Sequence, residues 1–584
     1  MKTHIKYLTI CLLILNQLIS GTPANCQEVD TARVPVDQMI GTNSFIDAPM
    51  DKMEALGFIR EYHPWSFTEI EDDVYEFNRW NGYWDFDKYY TSLHNMGITV
   101  CPALWSSPDW LESNSTNKPV GEDEDPTEPQ SYSEMAQLLF QYGARYGHTV
   151  VDESLLMVNA GQIKKTGLGV LSYFEDWNEQ DRDWEGRDAM FSAEEYAAMA
   201  SANVDGHGGT MGEGLGLKTA DPTAKFVMGG IYKMGTSYIT SMHEWFVANR
   251  PDKQWPIDVI NMHHYAYSNE TNGISPEEDA YKARILEIVS WRDTYAPDNE
   301  IWITEFGYDT NDESVNRINP FGDFSQQEIQ AQWIVRTFLI MSSAGVDRAA
   351  QFMLRDVDPN SEPRFSDCGL TLSDSEGYTA KTSWYYVYSM KNILKDMYFD
   401  QVIQEDNSAY VYRFKNKAEN KDIYALWKPT TNASTSSYTL ELAENPNVLE
   451  IIELSDGSIT GTSTRLENKE ALTDIQIGER PLFILADYNP LSGLQSNTAP
   501  ALFRAFPNPA QSELHLDFAL PSSSLDVSIK IFSADGKLVC EYPEQTYYSR
   551  ISIDISFLEY GFYSLVVRAD SEIQTVKFLK TLLQ

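Results

Sequence analysis

Cysteine is scarce in this chain: five in 584 residues, at positions 11, 26, 101, 368 and 540. None falls at the spacing of a metal site or a disulfide framework, so thiol and zinc chemistry are excluded as organising features. Cys101, which follows "GITV", reads as a small core hydrophobe. Basic residues are also few, 44 Lys and Arg against 86 Asp and Glu, a formal net charge of −42. Nucleic-acid binding runs on Lys and Arg neutralising phosphates, and that balance excludes it. Beyond the N-terminus no run is apolar enough to cross a bilayer, so no integral membrane span is expected.

What the N-terminus holds is Lys2 and Lys6 ahead of about a dozen apolar residues, then small ones. That layout reads as a secretory signal peptide over residues 1–25, and Asn25 directly before Cys26 speaks against a lipoprotein site. At 66.4 kDa the chain is too long for one core, and it is rich in aromatics, with 14 Trp and 33 Tyr.

Over residues 30–397, eight short apolar runs alternate with segments of helical spacing. The strand candidates are "QMIGTNSF", "GFIREYH", "GITVCPALW", "GVLSYFEDW", "KFVMGG", "IDVINMHHY", "EIWITEFGY" and "VDRAAQFML". Eight strand–helix units in a row predict an α/β fold, a (β/α)8 TIM barrel. The rival, a doubly wound open sheet, announces itself with a Gly-rich first turn, and none follows the first strand. Residues 398–487 change period to short strands parted by Asn, Gly and Asp turns, which predicts an accessory antiparallel β-sandwich. A Pro/Ser/Asn/Gly linker occupies 488–501, and 502–584 read as another small β-module.

In a parallel barrel the chemistry gathers at the C-terminal strand ends. Glu179 ends the fourth unit in "SYFEDWNEQ", and Glu305 ends the seventh in "EIWITEFGY". Two carboxylates facing each other across one mouth suit glycosidic bond cleavage, one giving a proton to the leaving oxygen and the other attacking or activating water. If both reach one sugar by a retaining mechanism, their carboxyl groups are expected about 5–5.5 Å apart, with Glu305 favouring the protonated form of Glu179.

The pairs Asn178-Glu179 and Thr304-Glu305-Phe306-Gly307 resemble those of the clan A glycoside hydrolases, the retaining (β/α)8-barrel glycosidases. The flanking sandwich fits relatives such as the xylosidase and iduronidase family thirty-nine. The resemblance implies Glu179 as acid/base, Glu305 as nucleophile and Asn178 as donor to the sugar 2-hydroxyl. It also implies an Arg steadying the nucleophile, matched by Arg60, and a His or Tyr on the sixth strand, matched by His263 and Tyr265. Strand alternation itself puts His263 and Tyr265 on one face with His264 opposite, and puts Arg60 with Tyr62. His63 stands three residues after Arg60, where those relatives often have two, and it is carried as a further candidate.

Sugar rings stack on aromatic faces, so Trp65, Trp105 and Trp177 are candidate platforms, with Arg355 after the eighth strand. Further mouth aromatics are Trp80, Tyr83, Trp84, Trp110 and Trp184. "GTMGEGLGLKTAD" fails as a phosphate loop because Leu217 parts Gly216 from Lys218, and "GEDEDPTEP" lacks calcium-ligand spacing. No cofactor or metal is implied. The C-terminal module resembles the type A sorting domain of the type IX secretion system, on Phe506-Pro507-Asn508-Pro509-Ala510, Asp535-Gly536-Lys537 and Tyr560-Gly561-Phe562-Tyr563. The expected partners are a carbohydrate substrate and the type IX machinery, and the expected destination is outside the cell. The alternatives are a non-catalytic glycan-binding protein on the same barrel, and a transglycosylase.

Overall fold

The computed structural model describes residues 33–489 except 269–271, 358–363, 417, 443 and 468–471. It also describes 503–581 except 507–509, 519–524, 534–536, 548–549 and 570–571. The signal segment, the linker beyond Asn489, Pro507-Asn508-Pro509 and Asp535-Gly536 lie outside the described residues.

Eight parallel strands close into a barrel. They are β1 (Ile40–Ser44), β2 (Phe58–Pro64), β3 (Thr99–Trp105), β4 (Tyr173–Asp176), β5 (Lys225–Met228), β6 (Val259–His263), β7 (Glu300–Phe306) and β8 (Arg348–Gln351). Each falls within its sequence-expected run except β2, which runs one residue further to Pro64, and closure from β1 to both β2 and β8 excludes the open sheet. The strands are buried on both faces, which is why they read as near-continuous apolar runs. A helix follows each strand, from the single turn Met50–Met53 after β1 to Thr382–Ile393 after β8. Two of the longer helices open on capping boxes, at Ser192 with Glu195 and at Ser325 with Glu328, where side chains satisfy amides that the first turn leaves free.

The barrel interior is layered. One layer is apolar: Phe58, Cys101, Val227, Val259, Trp302 and Ala350 pack together. One step up, alternation brings in Asn43 on β1, Arg60 on β2, Glu175 on β4 and Asn261 on β6, all fully buried and polar. Replacing aliphatic filling with an ionic layer is costly unless each group is paired. That layer carries the site.

An antiparallel sheet from Tyr398–Glu405 to Leu482–Asp487 packs beside the barrel in the same compact unit. Tyr412, Phe414 and Trp427 join the barrel's outer core. Buried Arg336 pairs with Glu277, which also accepts from Trp427 Nε1 at 2.7 Å. Residues 490–584 form a second unit, whose strands make a three-stranded and a four-stranded antiparallel sheet around Leu514, Ile529, Ile553, Leu565 and Phe578. Among the described residues no helix is long and apolar enough to cross a membrane.

Candidate active site

At the C-terminal mouth of the barrel lies a cavity of about 800 Å³, lined by Glu179 and Glu305 among others. The two glutamates reach it by different local devices. Alternation from Trp302, which points inward, would send Thr304 inward and Glu305 out. The ladder slips there instead: Met262 pairs with Ile303, but His263 pairs with Glu305. This irregularity re-aims Glu305 into the mouth beside Thr304. Glu179 stands three residues beyond β4, which ends at Asp176. Trp177 and Glu179 both have positive φ, 79° and 46°, conformations that cost non-glycine residues energy and gather at functional sites. The turn is held by Trp177 N–H donating to Leu104 O at 2.9 Å and Glu179 N–H donating to Gly230 O at 3.0 Å.

Glu305 is saturated with donors. Arg60 Nη1 donates to its Oε1 at 2.8 Å, Tyr62 OH donates to the same oxygen, and Tyr265 OH donates to Oε2 at 2.8 Å. Burial alone would raise its pKa, but His263, Arg60 and the two tyrosines outweigh burial and hold the carboxyl below its ordinary 4.5. Burial, then the Glu305 charge, pushes both phenols well above 10.0, so they stay protonated and donate.

Arg60 is fully buried and forks onto Glu175, Nε to Oε2 at 2.6 Å and Nη2 to Oε1 at 2.7 Å. It also donates to Asn43 Oδ1 and Asn178 Oδ1, at 3.0 and 2.8 Å. Burial would weaken its charge; Glu175 foremost, with Tyr62 and Glu305, more than offsets this and holds Arg60 well above the ordinary arginine value. From Glu175 a chain of hydrogen bonds climbs to the mouth. Asn261 Nδ2 donates to Glu175 Oε1 at 3.1 Å, which turns its Oδ1 to accept from Thr304 Oγ1 at 2.9 Å. The Thr304 oxygen lies 3.1 Å from His263 Nε2, and His263 Nδ1 lies 3.0 Å from Glu179 Oε1. His263 can stand there only because position 230 is glycine: a Cβ on Gly230 would lie 2.1 Å from His263 Nε2.

Glu179, His263 and Glu305 present ligand atoms within 4.8 Å of one another. That is the minimum geometry for a cation. The Glu305 oxygens, however, are already taken by a guanidinium and two phenols, a donor set that suits a bare carboxylate better than a metal ligand.

The structure brings together Glu179, Glu305, Asn178, Arg60, His263 and Tyr265, with Arg60 acting on Glu305 from beneath, fully buried and out of a ligand's reach. Other expected site residues fall elsewhere. His63 points out of the barrel wall, fully buried, against Glu61 at 3.1 Å and Tyr142, because strand alternation opposes it to Tyr62. Trp65 is fully buried against Trp110 and donates to Glu69. Trp177 is turned back by its positive φ to pack on Phe191, 5.7 Å between ring centroids. Arg355 is occupied by Asp47 at 3.1 Å and by Tyr378. Trp105 is half-buried beside Tyr62, with no hydrogen-bond partner for its Nε1 among the described residues. Sequence reasoning missed Glu175, Asn43, Asn261, Tyr232 and Phe365. A carboxylate inside an apolar strand, as in "SYFED", is the signal that could have found Glu175.

Residues 504–581 match the family model of the secretion system C-terminal sorting domain, which marks the chain for export across the outer membrane by the type IX machinery. No curated protein matches the chain. Among solved structures, a glycoside hydrolase family 30 endoxylanase from Clostridium papyrosolvens is 11% identical with a TM-score of 0.49, over 78% of this chain and 97% of that one. A family 30 subfamily 8 xylanase from Clostridium acetobutylicum is 12% identical with a TM-score of 0.45, over 79% and 98%. A family 86 β-porphyranase from the gut bacterium Bacteroides plebeius is 11% identical with a TM-score of 0.47, over 95% and 98%.

Proposed function

We propose that the barrel is a retaining glycoside hydrolase that cleaves β-linked plant or algal polysaccharides, or their oligosaccharides, by double displacement. One observation carries this reading: two mouth carboxylates that each bring one oxygen within 4.8 Å of the other. That separation suits direct attack, whereas an inverting pair stands about 6.5–9.5 Å apart to admit a water. Glu305, held ionised, attacks the anomeric carbon; the glycosidic C–O bond breaks as Glu179 gives its proton to the leaving oxygen. Water then enters, Glu179 takes back a proton from it, and the new hydroxyl displaces Glu305 from the sugar.

The hydrogen-bond chain supports the acid role. Because Thr304 donates to Asn261, its oxygen accepts from His263 Nε2–H. His263 Nδ1 then faces Glu179 Oε1 at 3.0 Å, which fixes the carboxyl at the mouth, where a leaving oxygen would take its proton. Asn178 has its Oδ1 turned to Arg60, which leaves the amide NH2 for the sugar 2-hydroxyl. The test incubates the full chain with xylan, mannan, agarose, porphyran and laminarin and reads released sugars by chromatography. Product from the wild type and none from Glu305→Gln is the expected result. A glycan bound equally by both and cut by neither would replace this reading with a binding protein.

A further inference from the structure

Two loops are laced together on the Glu179 side of the mouth. Asp181, almost fully buried, accepts the backbone N–H groups of Tyr232 and Lys233, each at 3.0 Å. Glu179 N–H closes the same seam onto Gly230 O. Above the seam, Tyr232 OH donates to Asp183 Oδ1 at 2.8 Å, and Lys233 pairs with the other oxygen. Trp184 follows Asp183 in a short 3-10 turn and stands edge-to-face on the Tyr232 ring, 4.6 Å between centroids and 82° between planes. A large indole held this firmly would ordinarily be covered, yet Trp184 is 55% exposed and lines the cavity that holds Glu179 and Glu305. The opposite flank, beside the nucleophile, is walled by Tyr265 against Phe365, 4.8 Å between centroids.

We propose that Trp184, backed by Tyr232, is the subsite for the sugar ring on the leaving-group side of the scissile bond, a pyranose stacked by its C–H face on the exposed indole. This rests on Glu179 as the acid: a proton donor must stand at the leaving oxygen, so the ring carrying that oxygen lies on the Glu179 flank, where Trp184 is the exposed aromatic surface. Rigidity matters because a pre-ordered ring gives up little entropy on contact. The site therefore selects substrates with a sugar aglycone, and it holds an acceptor sugar as readily as it holds a leaving one.

The experiment compares wild type, Trp184→Ala, Trp184→Phe and Glu305→Gln as full chains on two probes. One is a tetrasaccharide of the glycan that the wild type cuts; the other is the glycosyl fluoride of the same sugar, whose leaving group fills no sugar-sized subsite. The expected result is a KM for the tetrasaccharide raised about tenfold in Trp184→Ala, largely restored in Trp184→Phe, with fluoride hydrolysis unchanged. Equal losses on both probes, or no loss on either, would overturn the subsite while leaving the two-glutamate reading intact. Wild-type rates in Glu305→Gln would instead overturn that reading, and with it the leaving side.

Discussion

At the scale of single residues, the Glu305 carboxylate is the group whose state decides the proposed activity. It must be ionised to attack, and its pKa lies below 4.5, so the ionised form persists through mild acid and is lost only as pH falls through that depressed value. Tyr265→Phe removes a donor to the charged form; the pKa then rises, and the acid limb of kcat/KM is expected to move to higher pH with the alkaline limb unmoved. A pH–rate profile of the two proteins checks this. Glu305 and Glu179 were both legible in the sequence because residue type and strand slot sufficed. Trp177 and Trp65 were not, since a side chain's direction at a strand end depends on backbone φ, which a list of aromatics does not carry.

At the scale of elements, apolar period and helix spacing were enough to find all eight barrel strands, because burial on both faces leaves a plain sequence trace. The slip in β7 leaves none, and without it alternation would hide Glu305 in the wall. The ionic layer beneath the mouth was half legible: Arg60 could be placed by alternation, but its pairing with Glu175 on β4 depends on the stagger between strands. That pairing sets the polarity of the chain through Asn261, Thr304 and His263. Glu175→Gln keeps one acceptor oxygen but turns an NH2 against Arg60 and removes the charge that balances it, so kcat is expected to fall at least about tenfold with KM little changed. Circular dichroism would show the fold retained, and steady-state kinetics reads the effect. Arg60→Met leaves Glu175 buried and unpaired, and unfolding is expected about 3–5 kcal/mol easier by denaturant titration.

At the scale of the whole molecule, the barrel and the antiparallel sheet share one joint of buried charge, with Glu277 held by Arg336 and Trp427. Glu277→Ala strands the Arg336 guanidinium among apolar neighbours, and a thermal midpoint several degrees lower is expected, read by calorimetry. The period change near residue 398 and the C-terminal motifs were legible because turn residues and short strands mark such modules plainly. The Glu277 joint was not, since it links residues far apart in the chain. The sorting module and the net charge of −42 both concern destination and solubility, whereas the proposed reaction belongs to the mouth. The most direct test of that reaction is the configuration of the first sugar released, followed by proton NMR in the opening minutes of hydrolysis, before the anomers equilibrate. Two displacements at one carbon return the β anomer, which is the expected signal; an initial burst of α anomer would mean a single displacement by water and would contradict the role given to Glu305.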